Sequence, residues 1–228
     1  MLSIMKTEER RRARELRMEG CSVKEIQRAL GVSRSSVSLW VRDVALTESQ
    51  RKALELRSKA GPLIAAERKA GAARERRRAY QEDGRRFARE RDASYAAGCM
   101  LYWAEGDKSR NSVRISNADP DLVACFATFL RRHFSVPPER MTLYCNLFAD
   151  HLSRQHEIEQ YWLTRLGLPA SSLRTSVVNT YSKYSLKKRT NKLPYGTGRL
   201  AVHSTQIVQT IFGSIQEYGG FDRPEWLD

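Results

Sequence analysis
The stretch 94-SYAAGCMLYWAEGDKSR-110 opens on small residues, turns apolar, and ends on two acids one glycine apart. The eleven residues 94–104 suit a buried helix. A membrane span needs about 20. Glu105, Gly106 and Asp107 break the run, and Lys108 and Arg110 follow at once. Two carboxylates there end a helix, or they form a metal-binding catalytic acid site with Lys108 as a charge-neutralising neighbour.

Downstream, the pattern alternates strands and helices. Residues 112-SVRISN-117 alternate polar and apolar, as a half-buried strand does. Residues 119–134 predict an amphipathic helix. Asp119 caps it, Pro120 takes the first helical position, and Leu122, Val123, Phe126, Phe129 and Leu130 form the buried face. Residues 141–148 predict a strand, 154–167 a helix closed by Gly167, 173–180 and 198–204 two more strands, and 205–218 a last helix. The expected order is helix–strand–strand–helix–strand–helix–strand–strand–helix, an α+β domain over 93–228. Between its last strands lie Lys183, Lys187, Lys188, Arg189, Lys192 and Arg199, interleaved with Tyr181, Tyr184 and Tyr195. Cations mixed with tyrosines on a long loop suit contact with a nucleic-acid backbone, although a solvated surface loop has the same composition.

Upstream, residues 47–92 are rich in Ala, Arg, Glu and Lys, with Pro62 the strong breaker. Their apolar residues are small or sparse. They predict a basic helical connector, a semi-rigid spacer whose Arg74, Arg76, Arg77, Arg78, Arg85 and Arg86 lie along phosphates. A purely solvated charged helix is the plainer alternative.

Residues 1–46 predict a small helical domain. A charged helix over 8–20 ends at Gly20. Ser22 stands three before Glu25, the spacing of a capping box. Ile26, Ala29 and Leu30 predict one apolar face. Gly31 allows a tight turn, Ser33 caps the next helix, and Val37, Trp40 and Val41 point inward. That second helix leaves Arg34, Ser35, Ser36, Ser38 and Arg42 outward, groups suited to base edges and phosphates.

Charge points the same way. The chain of 228 residues has 40 Lys plus Arg against 26 acids, a formal +14. Residues 1–92 hold 24 of the bases and 14 of the acids, so the excess is concentrated there. Such an excess attracts polyanions, nucleic acid above all. No apolar stretch is long enough for a membrane span and MLSIMKTEERRR lacks the core of a signal peptide, so the expected setting is the cytoplasm, at the nucleoid. Cys21, Cys99, Cys125 and Cys145 form no CxxC pair and are expected to be buried free thiols. His151 and His156, five apart, do not share a helix face.

The run EIxxxLGVSxSSVxxW resembles the helix-turn-helix of resolvase and invertase DNA-binding domains over about 40 residues. Residues 94–218 resemble the LAGLIDADG homing-endonuclease domain, with 98-GCMLYWAEG-106 in place of its motif helix. The resemblance implies a saddle-shaped antiparallel DNA-binding sheet, a motif helix that packs on a symmetry partner through small residues, and a homodimer. It places Glu105 as the metal-binding acid, with Asp107 as a second candidate and Mg²⁺ as the cofactor of any cleavage. Met100 stands where the family has an inner glycine, and Trp103 where it often has an aspartate. The WhiA-type regulators join the same two folds and bind DNA without cutting it. The combined expectation is a sequence-specific double-stranded DNA-binding protein, a transcriptional regulator or phage-type repressor, needing no cofactor to bind. The alternatives are a metal-dependent endonuclease and an accessory factor for a recombinase.

Overall fold
The computed structural model describes residues 2–179 and 193–228, with side chains from residue 6 onward. The chain is α+β and divides into two compact units, Met1–Gly71 and Ala72–Asp228.

In the first unit, α1 (Leu2–Met18), α2 (Val23–Leu30) and α3 (Arg34–Val41) enclose a small core of Ala13, Ile26, Val37 and Val41. Arg14 ties α1 to α3 by donating to the Trp40 carbonyl (2.9 Å) and the Asp43 carboxylate (2.7 Å). The capping box at α2 is complete: Glu25 N–H donates to Ser22 Oγ (3.2 Å), and Ser22 N–H donates to Glu25 Oε2 (2.6 Å). Gly31 closes α2 at φ 67°, where a side chain would be strained, and Ser33 Oγ then accepts the Ser36 N–H at the start of α3. Ile26 and Leu30 face the core as expected, while Ala29 is exposed and Val23 packs there in its place.

The capping bonds hold the Glu25 carboxyl below its ordinary value of 4.5, first through the Ser22 N–H and then through its hydroxyl. A depressed carboxylate stabilises the fold above the unfolded pKa and loses that contribution as pH falls through the folded one. Protection of the α2 amides against hydrogen exchange is therefore expected to fall below pH 4.5. In Glu25→Gln this acid-dependent loss disappears. Unchanged pH dependence in the variant would remove Glu25 as the cause.

The long helix α4 (Glu48–Glu90) runs through Pro62, which was expected to break it. Its part up to Gly71 belongs to the first unit and the rest to the second. The reason is α8 (Thr205–Gly219), which is buried continuously from Ile207 to Gln216. Arg77, Gln81, Gly84 and Ala88 make a buried stripe on α4. A Cβ on Gly84 would lie 2.0 Å from the Thr210 carbonyl of α8, and one on Gly213 of α8 would lie 2.0 Å from the Gln81 carbonyl. The two backbones touch. The seam is otherwise polar: Gln81 Nε2 donates to Gln209 Oε1 (2.7 Å), Gln216 Nε2 to Gln81 Oε1 (3.0 Å), and Ser214 Oγ to the Gly84 carbonyl (2.8 Å). A residue pattern poor in large apolar groups thus packs by close approach and hydrogen bonds.

The rest of the second unit is α5 (Ala93–Glu105), β1 (Val113–Asn117), α6 (Pro120–Phe134), β2 (Thr142–Phe148), α7 (Gln155–Leu166), β3 (Val177–Asn179), β4 (Thr197–Val202) and α8. The sheet order is β1-β4-β2-β3. It is mixed, not antiparallel: β4 runs antiparallel to β1 and β2, while β3 runs parallel to β2. The crossover through α7 returns the chain in the same direction, which forces the parallel pair. The second strand expected after the motif helix is reduced to one bridge, Gly106 with Ile115, beside the bond from Asp107 N–H to the Arg114 carbonyl (2.9 Å). Ser109 and Asp107 turn the chain too soon for a full strand.

One sheet face, with Val113, Ile115, Leu143, Cys145, Leu147, Leu200 and Val202, is buried in the core with α5, α6, α7 and α8. Gly98 of α5 meets the Phe129 ring of α6, where a Cβ would lie 2.1 Å from the ring. The small residue expected to face a symmetry partner is used inside the chain. Cys99 and Cys145 are buried, and burial raises both thiols to about 12. Cys125 is exposed on α6, against expectation, because it lies on the side opposite Val123, Phe126 and Phe129.

Candidate nucleic-acid interface
In the first unit, α3 and its C-cap residue Arg42 present Arg34, Ser38 and Arg42 at i, i+4 and i+8 spacing, with Ser35 beside them, all exposed. The opposite side, Val37 and Val41, is buried, so the stripe is fixed in direction. Ser36 differs. It is half-buried, its N–H donates to Ser33 Oγ (3.1 Å), and its hydroxyl is bonded to the same atom (2.8 Å). Ser36 builds the cap. Leu39, 59% exposed, joins the stripe and went unread in the sequence. Its position one turn after Ser35 was the available signal. An apolar group there suits a thymine methyl, as the guanidinium forks suit guanine edges and phosphates.

The three arginines at 76–78 do not form a row, since consecutive helical residues point about 100° apart. Arg76 is exposed. Arg78 is exposed and bonded to Glu75 (2.9 Å). Arg77 is a correction: it is buried, and its Nε donates to the Leu227 carbonyl (2.6 Å). Burial, and after it the charge of Arg110, lower its pKa. It ties α4 to the C-terminal turn at Leu227, with little of it left for a phosphate. Lys183, Lys187, Lys188, Arg189 and Lys192 lie outside the described residues.

In the second unit, Glu105, Asp107 and Arg199 come together with Arg114 and Ser116 around an open cleft of about 350 Å³. Strand register explains the meeting. Arg199 of β4 is paired with Ser116 of β1 on one side and with Tyr144 of β2 on the other. Alternation then puts Arg114, Ser116, Tyr144, Asn146, Thr197 and Arg199 on the sheet face away from the core. These are half-buried or exposed, unlike Thr142 and Ala201 on the same face. Of this set only Arg199 was expected; the others follow from the period of two once the register is known.

The two acids have separate surroundings. Glu105 Oε2 accepts from Asn117 Nδ2 (3.0 Å). Asp107 Oδ1 accepts the Ser109 N–H (2.9 Å), and Oδ2 accepts from Arg114 Nη1 (3.3 Å). Its own carbonyl accepts the Tyr102 hydroxyl. Asp107 is thus a turn residue that also orients Arg114. Lys108 donates to the carbonyls of Trp103 (2.8 Å), Gly106 (2.8 Å) and Tyr102 (3.3 Å). Its ammonium closes the C-terminal end of α5, where the helix dipole favours a cation, and burial lowers its pKa. It does not reach toward the cleft as a phosphate-neutralising group would.

Among the described residues, no three His, Cys, Asp or Glu side chains come together. The cleft holds Glu105 together with an Asp107 that bonds to the turn and to Arg114. What it offers a ligand is a pair of guanidinium forks, one oriented by a carboxylate. Such forks bind phosphate oxygens in a defined direction.

No family model, curated protein or solved structure matches this chain.

Proposed function
We propose that this protein is a sequence-specific double-stranded DNA-binding protein of the transcription-regulator kind, with one DNA surface in each unit. The observation that carries the reading is the exposed stripe of α3, Arg34, Ser38 and Arg42 with Ser35 and Leu39, on a capped helix that follows a glycine turn. A short helix, a tight turn and a second helix with polar groups outward is how a helix enters the major groove. In this reading the outer sheet face of the second unit is the LAGLIDADG-like saddle, gripping the backbone with Arg114 and Arg199. The two acids position side chains there and do not cut.

Selection of bound sites from a random duplex library tests the proposal, followed by gel shifts with Arg34→Ala at fixed salt. The variant is expected to lose about 1–3 kcal/mol on the selected site and to relax base preference at one position. Equal loss on every sequence would make Arg34 a phosphate contact. Failure to enrich any sequence would remove the sequence-specific part of the reading. Metal-dependent plasmid cleavage that disappears in Glu105→Gln would replace the regulator with an endonuclease.

A further inference from the structure
The DNA reading leaves unused a groove of about 870 Å³ in the first unit, between α2 and the first part of α4. Its floor includes Leu54 and Ile64, and Ile64 is 49% exposed. Lys24 and Arg28, one turn apart on α2, form one wall. Arg57 and Arg68 stand on α4, eleven residues apart and so about 16 Å along the axis. Among the described residues Glu25 is the one acid in the lining, and it is committed to the Ser22 cap and to Arg57 (3.2 Å). Cations therefore exceed acids around an apolar floor.

We propose that this groove receives an acidic amphipathic helix from a partner protein. Apolar side chains at i, i+3, i+4 and i+7 seat on Leu54 and Ile64, and carboxylates on the flanks meet Lys24, Arg28, Arg57 and Arg68. The distance between Arg57 and Arg68 matches about three helical turns, so both meet carboxylates on a helix that extends about one turn beyond its apolar anchors. A DNA backbone would satisfy the cations but leave the apolar floor wet, and the floor is what favours the peptide. Burying it and pairing the rim cations serve together, since surface ion pairs alone contribute little.

The test uses the full chain and fluorescence anisotropy. The probe is a labelled helical peptide of about 16 residues, with leucines at that spacing and glutamates elsewhere. The expected result is saturable binding, weakened about tenfold or more by Ile64→Glu and by Arg28→Glu, or about 1.4 kcal/mol each. Arg68→Glu gives a second rim variant, and Arg10→Glu on α1, outside the groove, serves as the charge-matched control and binds as the parent does. A scrambled peptide of the same composition binds at least about tenfold more weakly. Circular dichroism confirms that each variant folds, which the exposure of these positions favours. The proposal is overturned if the scrambled peptide binds equally, or if Ile64→Glu keeps the parent affinity. It is also overturned if Arg28→Glu and Arg68→Glu weaken duplex DNA binding while Ile64→Glu changes nothing, since the groove would then be a phosphate wall.

Discussion

Gly213→Ala is expected to destabilise the second unit by about 3 kcal/mol, seen as a fall in Tm of roughly 6–12 °C. The added Cβ would sit 2.0 Å from the Gln81 carbonyl. That obstacle is backbone inside a buried seam, so no side chain can swing aside. Relief requires α4 and α8 to separate, which would also break the bonds joining Gln81 to Gln209 and Gln216. Gly84→Ala meets the Thr210 carbonyl at the same distance and is expected to behave alike. Because both act on one crossing, the double variant costs less than the sum. Gly71→Ala is the internal contrast: a Cβ there meets nothing within 4 Å, so alanine stabilises the helix by up to about 1 kcal/mol. Thermal melts that leave Gly213→Ala at the parent Tm would show that the helices do not cross there.

The second large effect is on DNA affinity. Raising salt from about 50 to 200 mM is expected to weaken binding roughly 10³-fold, the loss for about six neutralised phosphates. The driving term is counterion release, and the +14 chain has cations to spare for it. The residue-level content is sharper. Arg199 is exposed on the sheet, so Arg199→Ala lowers the slope of log K against log salt by about one. Arg77 is buried on the Leu227 carbonyl, so Arg77→Ala leaves the slope alone and lowers stability. Affinity titrations at four or five salt concentrations separate the two. A flat salt dependence for the parent protein would sink the backbone-contact part of the DNA reading.

Local signals in the sequence located most elements. Asp119 and Pro120 fixed the start of α6 to the residue, because a cap and a first-position proline act over one turn. Ser22 and Glu25 did the same for α2. What depends on distant partners was not legible. The seam of α4 on α8 is made by Gly84 and Gly213, residues whose contact shows only when the two helices are paired. Arg76, Arg77 and Arg78 are identical in sequence terms, yet only Arg77 faces the C-terminal turn at Leu227. The outer sheet face was hidden for the same reason. The alternation in residues 112–117 was visible, but which alternate set meets Arg199 is decided by register across about 80 residues. Lys108 follows the two acids in the sequence and reads as their charge-neutralising neighbour; three carbonyls at the end of α5 claim it instead.

The strand order also sets a timetable. β4, the last strand in the chain, lies between β1 and β2. During synthesis β1 is complete at Asn117, but β4, its partner strand among the described residues, ends at Val202. At about 5–20 residues per second, β1 waits roughly 4–17 s with its edge open. The helices of the first unit meet neighbours only tens of residues away and have no such delay. The nascent chain therefore carries a finished basic module on a tether while its sheet is still unpaired, and the period of exposure to aggregation belongs to the C-terminal unit.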